Sequence, residues 1–157
     1  MDLRLIIRSL LALVLIPMLW FAWWVFARSP EAQVRAAQAK LVEVVEDRDW
    51  DAVKEFFAEN YTDAYGHTRE TAIQDAKKYL GGFFTLTLKT DQTTVRAAKG
   101  QGMVSMMIRL EGNGAGYSQF VPGHVNQLTE PWIFHWNNPG PWPWDWQVNL
   151  IHNDQVR

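Results

Sequence analysis

Groups able to carry protons crowd one short stretch of this chain, Asn60-Tyr61-Thr62-Asp63-Ala64-Tyr65-Gly66-His67. A carboxylate, two phenols and an imidazole this close together suit acid–base work, because burial raises a carboxyl pKa until it becomes a usable proton shuttle. The plainer reading of the same residues is a capped turn, with Asp63 accepting hydrogen bonds from nearby backbone amides. No second carboxylate or histidine is tied to Asp63 by spacing, which favours the turn. His135, Arg109 and Asp145, on segments that read as strands or their borders, are further candidates. His135 stands between aromatic residues, where a satisfied, half-buried histidine is commoner than a pocket base.

Other chemistries are excluded more firmly. The chain has no cysteine, which removes disulfides, thiol catalysis and zinc–thiolate sites. His67, His124, His135 and His152 are too far apart and too irregular for a zinc motif, so neither metal nor cofactor is expected. Five tryptophans fall between Trp132 and Trp146. Cross-strand packing accounts for most of them, while Trp142 and Trp144, in a Pro-interrupted segment, are expected to stay partly exposed and to bind a ligand or partner. Met103, Met106 and Met107 read as core filler.

The elements that must position these residues follow from periodicity and punctuation. Ser29-Pro30-Glu31 starts a helix that runs to about Asp47, with Val34, Ala37, Leu41, Val44 and Val45 at helical spacing. Asp49 caps a second helix and Thr68 a third, which Gly81-Gly82 ends. The period then changes to alternation. Strands are predicted at 83–89, after a turn at Asp91-Gln92 at about 93–99, and at 104–110. A turn or loop is predicted at 112–116, and Pro122-Gly123 suggests another turn. Trp132, Phe134 and Trp136 share one strand face opposite Ile133 and His135; Trp144, Trp146, Val148 and Leu150 line a face of the last strand. Three helices followed by an antiparallel meander make an α+β domain with helices on one face of a curved sheet.

Residues 9–27, SLLALVLIPMLWFAWWVFA, form a charge-free run of nineteen residues. As a helix it would be about 28 Å long, close to the hydrocarbon thickness of a bilayer. Arg4 and Arg8 precede the run, which predicts a cytoplasmic N-terminus and a domain on the periplasmic or extracellular side. A cleaved signal peptide is the alternative, but the run is long for one and tryptophans crowd its cleavage region. Two units are therefore expected, an anchor at 1–28 and a domain at 29–157. Residues 1–28 carry a net +2 and the remainder a net -4, and an acidic domain lacks the field that phosphate binding needs, so nucleic acid is not an expected partner.

Arg48-Asp49-Trp50-Asp51-Ala52-Val53, then Asp63-Ala64-Tyr65-Gly66-His67-Thr68-Arg69, and the aromatic hairpin Trp132–Trp136 to Trp144–Val148 resemble the nuclear transport factor 2-like superfamily, which includes ketosteroid isomerase and the SnoaL-like polyketide cyclases. The likeness covers about residues 31–152 and implies a cone-shaped domain. Enzymes of this kind place a polar base inside an apolar cone, so the resemblance makes Asp63, His135 and Tyr65 the catalytic candidates. Trp142, Trp144, Tyr61 and His67 are the candidates for ligand or partner contact. Membrane-anchored scaffold subunits of type IV secretion systems and the Mce-associated proteins offer a tethered precedent, matched here only by Asn138-Pro139-Gly140. The expected function is an accessory or scaffold module that binds a small hydrophobic ligand or a protein, or pairs as a homodimer. An isomerase, cyclase or dehydratase is the alternative. A carboxylate or histidine buried in the cone with an oriented partner would favour the enzyme.

Overall fold

The computed structural model describes residues 13–21, 23 and 28–156. The predicted anchor falls partly outside these residues. Among the described ones no helix is long and apolar enough to cross a membrane.

Helix α1 spans Pro30–Glu46, with Ser29 Oγ accepting from the Ala32 amide at its start and Pro30 where a missing N–H costs nothing. Arg48 takes a left-handed φ of 57° to end the turn after it, and Asp49 Oδ1 caps α2 (Trp50–Glu55) through the Ala52 amide at 3.1 Å. Thr68 and Thr71 exchange backbone and side-chain bonds in a capping box that opens α3 (Arg69–Leu80). Arg69 reaches back to the Lys54 carbonyl and fastens α3 to the end of α2.

Four antiparallel strands follow in meander order: β1 Phe83–Ala98, β2 Gln101–Gly114, β3 Trp132–Asn137 and β4 Gln147–His152. The predicted turn at Asp91-Gln92 is instead a bulge inside one sixteen-residue strand. Gln92 has a φ of 52°, but the pairing with β2 resumes at Thr94, so the extra residue bends the strand without reversing it. The reversal comes at Lys99 and Gly100, both at positive φ as a two-residue hairpin needs. Gly112–Gly114, predicted as loop, still pair with Phe83–Leu86. Pro122-Gly123 belong to a short helix, α4 (Val121–Val125), which follows a 3₁₀ turn at Gly116–Phe120.

The β3 alternation holds, with Phe134 and Trp136 buried beneath α1. In β4 the alternation breaks. Trp136 opposes Val148 but His135 opposes Leu150, so the bulge at Asn149 sends Leu150 to the outer face and Ile151 inward. Trp144 precedes the strand, in a turn closed by the Asp145 amide on the Trp142 carbonyl.

The main core joins Val34, Leu41 and Val44 of α1 to Val104, Met106, Trp136 and Val148 of the sheet. Of Met103, Met106 and Met107 only Met106 is buried. Helix and sheet meet closely at Gly102, where a Cβ would lie 2.7 Å from Val34 Cγ2. Gly102→Ala is therefore expected to destabilise the domain by roughly 1–3 kcal/mol. Gly123→Ala, with nothing within 4 Å, should leave the denaturation midpoint near wild type.

Candidate functional site

The cone is not filled. Between the helices and the inner sheet face lies an open cavity of about 800 Å³, with Leu41, Met106, Ile108 and Phe134 on its walls. Helix α3 roofs it and buries none of its own residues, because Ala72, Ala76 and Leu80 face the open volume.

The loop of titratable residues stands on this wall. Asp63 Oδ1 accepts the backbone amides of Tyr65 at 2.9 Å and His67 at 2.8 Å, which is the capped turn. Its Oδ2 faces His67 Nδ1 at 2.7 Å and accepts from the Tyr61 hydroxyl at 3.5 Å. His67 Nε2 in turn lies 3.2 Å from Asp75 Oδ2 on α3. The Asp63 side chain is 6% exposed, against 35% for His67 and 45% for Asp75, so the row runs from the interior outward. Spacing tied no partner to Asp63, yet folding supplies two in series.

Tyr61 is buried, and burial first, then the neighbouring Asp63, drives its phenol pKa well above the usual value. It stays a neutral donor. The Tyr65 hydroxyl is committed elsewhere, donating to the Asn153 carbonyl and accepting the Asn153 amide. Tyr65 thereby pins the loop to the end of β4.

The remaining candidates lie away from the cone. His135 is on the outer sheet face, its ring stacked on His152 at 5.5 Å between centroids. Burial, then His152, lowers its pKa below 6.5. The unfolded chain thus holds this proton more tightly than the folded one. The contribution to stability is present above about 6.5 and is lost as pH falls through the folded value. An NMR titration should place the His135 ring below its unfolded value, and His135→Gln should flatten the stability profile in that window. Arg109 is exposed on the same outer face, and Asp145 sits in the turn against Gly140. Trp142 and Trp144 are 48% and 62% exposed and stacked on each other, with ring centroids 5.3 Å apart and planes 8° from parallel. Neither lines the cavity.

Two residues escaped the sequence reading, Asp75 and Gln38, and both line the cavity, as does Trp132, which was read there as a packing residue of its strand. Gln38 carried a visible signal, a polar side chain within the apolar face that Val34, Leu41 and Val45 define. Asp75 carried none, since its approach to His67 depends on how α3 packs.

This arrangement, helices closing the concave face of a bent antiparallel sheet around a pocket, is similar to the fold of solved nuclear transport factor 2-like proteins. No family model matches the chain, and no curated protein matches it in sequence. Solved structures do match. Bd1075 of Bdellovibrio bacteriovorus superposes with a TM-score of 0.59 at 9% identity, covering 76% of this chain and 38% of that one, so this chain spans well under half of that protein. A nuclear transport factor 2-like protein of unknown function from Pseudomonas putida gives 0.58 at 16% identity, covering 78% of this chain and 84% of that one. A protein from Novosphingobium aromaticivorans, provisionally assigned as a scytalone dehydratase, gives 0.55 at 7% identity, covering 78% of this chain and 80% of that one. At these identities the shared property is the fold, which hosts many unrelated functions.

Proposed function

We propose that the domain holds an apolar small molecule in its cone, as an accessory binding protein tethered by residues 9–27 to the outer face of a cytoplasmic membrane. The observation that carries the binding half is the open cavity. At about 800 Å³, walled mainly by apolar side chains with a few polar groups among them, it has the size and character of a small-molecule site.

Two observations support the tether. Residues 13–21 are helical and present Leu15, Leu19, Trp20 and Phe21 outward, a surface that lipid would cover. The domain end nearest Arg28 also carries the exposed tryptophans. Gln33 Nε2 donates to the Arg28 carbonyl, Gln33 Oε1 accepts from Trp146 Nε1, and the Trp142–Trp144 stack precedes Trp146 in the same loop. Indoles at that position suit the headgroup layer.

The binding half is tested by purifying the full chain and an Ala76→Trp copy from the same membranes and comparing their organic extracts by mass spectrometry. A compound enriched with the wild type alone is expected. Identical extracts would overturn the reading.

A second reading has its own observation, the Asp63–His67–Asp75 row. With Nδ1 donating to the acceptor-only Asp63 carboxylate, Nε2 is the nitrogen left to exchange a proton, and Asp75 is its neighbour when it carries one. Such a group could enolise a bound ketone. Uptake of solvent deuterium beside the carbonyl, lost in His67→Gln, would replace the accessory reading with an enzyme of the isomerase or dehydratase kind. No uptake above the solution rate is the result expected of a binding protein.

A further inference from the structure

Three separate segments meet at the end of the domain where α1 begins. The Asn138 amide donates to the Gly100 carbonyl at 2.8 Å, which ties the β3–β4 loop to the β1–β2 reversal. Trp146 Nε1 donates to Gln33 Oε1 and Gln33 Nε2 to the Arg28 carbonyl, each at 3.0 Å, which ties the same loop to the start of α1. Within the loop the Asn138 side chain donates to the Trp142 carbonyl and accepts the Gly140 amide, so the stacked tryptophans stand on a closed turn. Neither of these indoles belongs to the core. Arg28, Lys99, Pro139, Pro141, Trp142 and Trp144 are all exposed at this end.

Chain length indicates what covers it. Only Arg28 and Ser29 separate the apolar run 9–27 from α1, and two residues span at most about 7 Å. A bilayer holding that run lies directly against the start of α1. The indoles beside it then reach the headgroup layer, where an amphipathic ring is favoured. The charges agree with this. Arg28 and Lys99 are exposed, whereas Glu31 and Asp145 nearby are half-buried, the latter against Gly140. Anionic lipid attracts such cations.

The cone opens elsewhere. Of the residues on its wall, the exposed ones are Tyr79, Tyr117, Phe120 and His124, at the end of α3, in the 3₁₀ turn and in α4. The Ser118 hydroxyl donates to the Tyr79 carbonyl, and Ser118 also packs on Gly114 at the end of β2. The other end of β2, Gln101, pairs with Asn137 beside the tryptophan loop. Fourteen residues of β2, roughly 40 Å of strand, separate the mouth from the indoles.

We infer that Trp142, Trp144 and Lys99 make a second contact with the bilayer, beside the tether, which holds the domain with the mouth of its cone turned away from the membrane. Ligand then enters and leaves on the aqueous side instead of passing in directly from the lipid. The inference rests on the tether in the reading above and deepens it.

The chain has no cysteine, so a single one can be introduced and labelled without background. The full chain is reconstituted in phosphatidylethanolamine–phosphatidylglycerol vesicles that carry a quencher at headgroup depth. A fluorophore is attached through Pro139→Cys, which marks the loop, or through Phe120→Cys, which marks the mouth. Quenching is expected at position 139 and not at position 120. Adding Trp142→Ala with Trp144→Ala should abolish most of the quenching at position 139 while the chain still floats with the vesicles. Lys99→Glu should reduce it too, and keeps the test decisive should the double variant fail to fold. Equal quenching at the two positions, or quenching at position 120 alone, would overturn the orientation and leave the tether standing. Undiminished quenching at position 139 in the folded variants would overturn the second contact, since the tether alone would then hold the loop at the surface. A chain that does not float with the vesicles would overturn the tether itself, and this inference with it.

Discussion

Ala76→Trp is expected to weaken binding of an apolar ligand about a hundredfold without unfolding the domain. Ala76 lies on the face of α3 that looks into the cavity, a helix with no buried residue of its own. An indole there would occupy space rather than displace packed side chains. If it removes roughly 110 Å² of ligand contact, at ~25 cal/mol per Å², the loss is about 2.8 kcal/mol, which is that hundredfold. Stability should hold or rise, because the new ring covers apolar wall that otherwise lacks neighbours. Fluorescence titration and thermal melting of the same samples check both halves. Unchanged affinity in a folded variant would put the ligand somewhere else.

Asp63→Ala should have the largest effect on stability among the site residues, roughly 3 kcal/mol. The carboxylate satisfies two backbone amides through one oxygen and binds His67 and Tyr61 through the other. Alanine leaves both amides unpaired in a loop pinned from outside by Tyr65, and each such loss costs about 1–3 kcal/mol. Asp63→Asn keeps an oxygen for the two amides and should cost only about 1 kcal/mol. Chemical denaturation separates the cases. Equal losses from both variants would mean that the His67 contact, not the turn, holds the loop.

The parts of this fold that were legible in the sequence are those set by neighbouring residues. Ser29, Asp49 and Thr68 each cap the helix that follows because capping chemistry acts within three positions. The face of β3 was legible because its alternation runs unbroken. Where pairing is non-local the reading failed. Asp91-Gln92 carries turn residues, but whether a positive φ makes a turn or a bulge depends on the partner strand, and β2 continues alongside. Leu150 changes face for the same reason, through one unpaired residue at Asn149. The candidate site divides in the same way. Tyr61, Asp63 and His67 were found as a cluster, whereas Asp75 comes from a different element. The cavity itself has no sequence signature, since an apolar face reads the same whether it packs or lines a void. Gln38 was the exception, and its place on an apolar stripe is the clue most worth seeking in similar chains.

The deciding question is whether the cone is the seat of a ligand. A crystal structure of the full chain grown with an uncharged naphthyl dye tests this most directly. The expected result is the ligand between α3 and the inner sheet face, in contact with Leu41, Met106 and Phe134. A ligand found only against the exposed Trp142–Trp144 pair, with the cone empty, would contradict it.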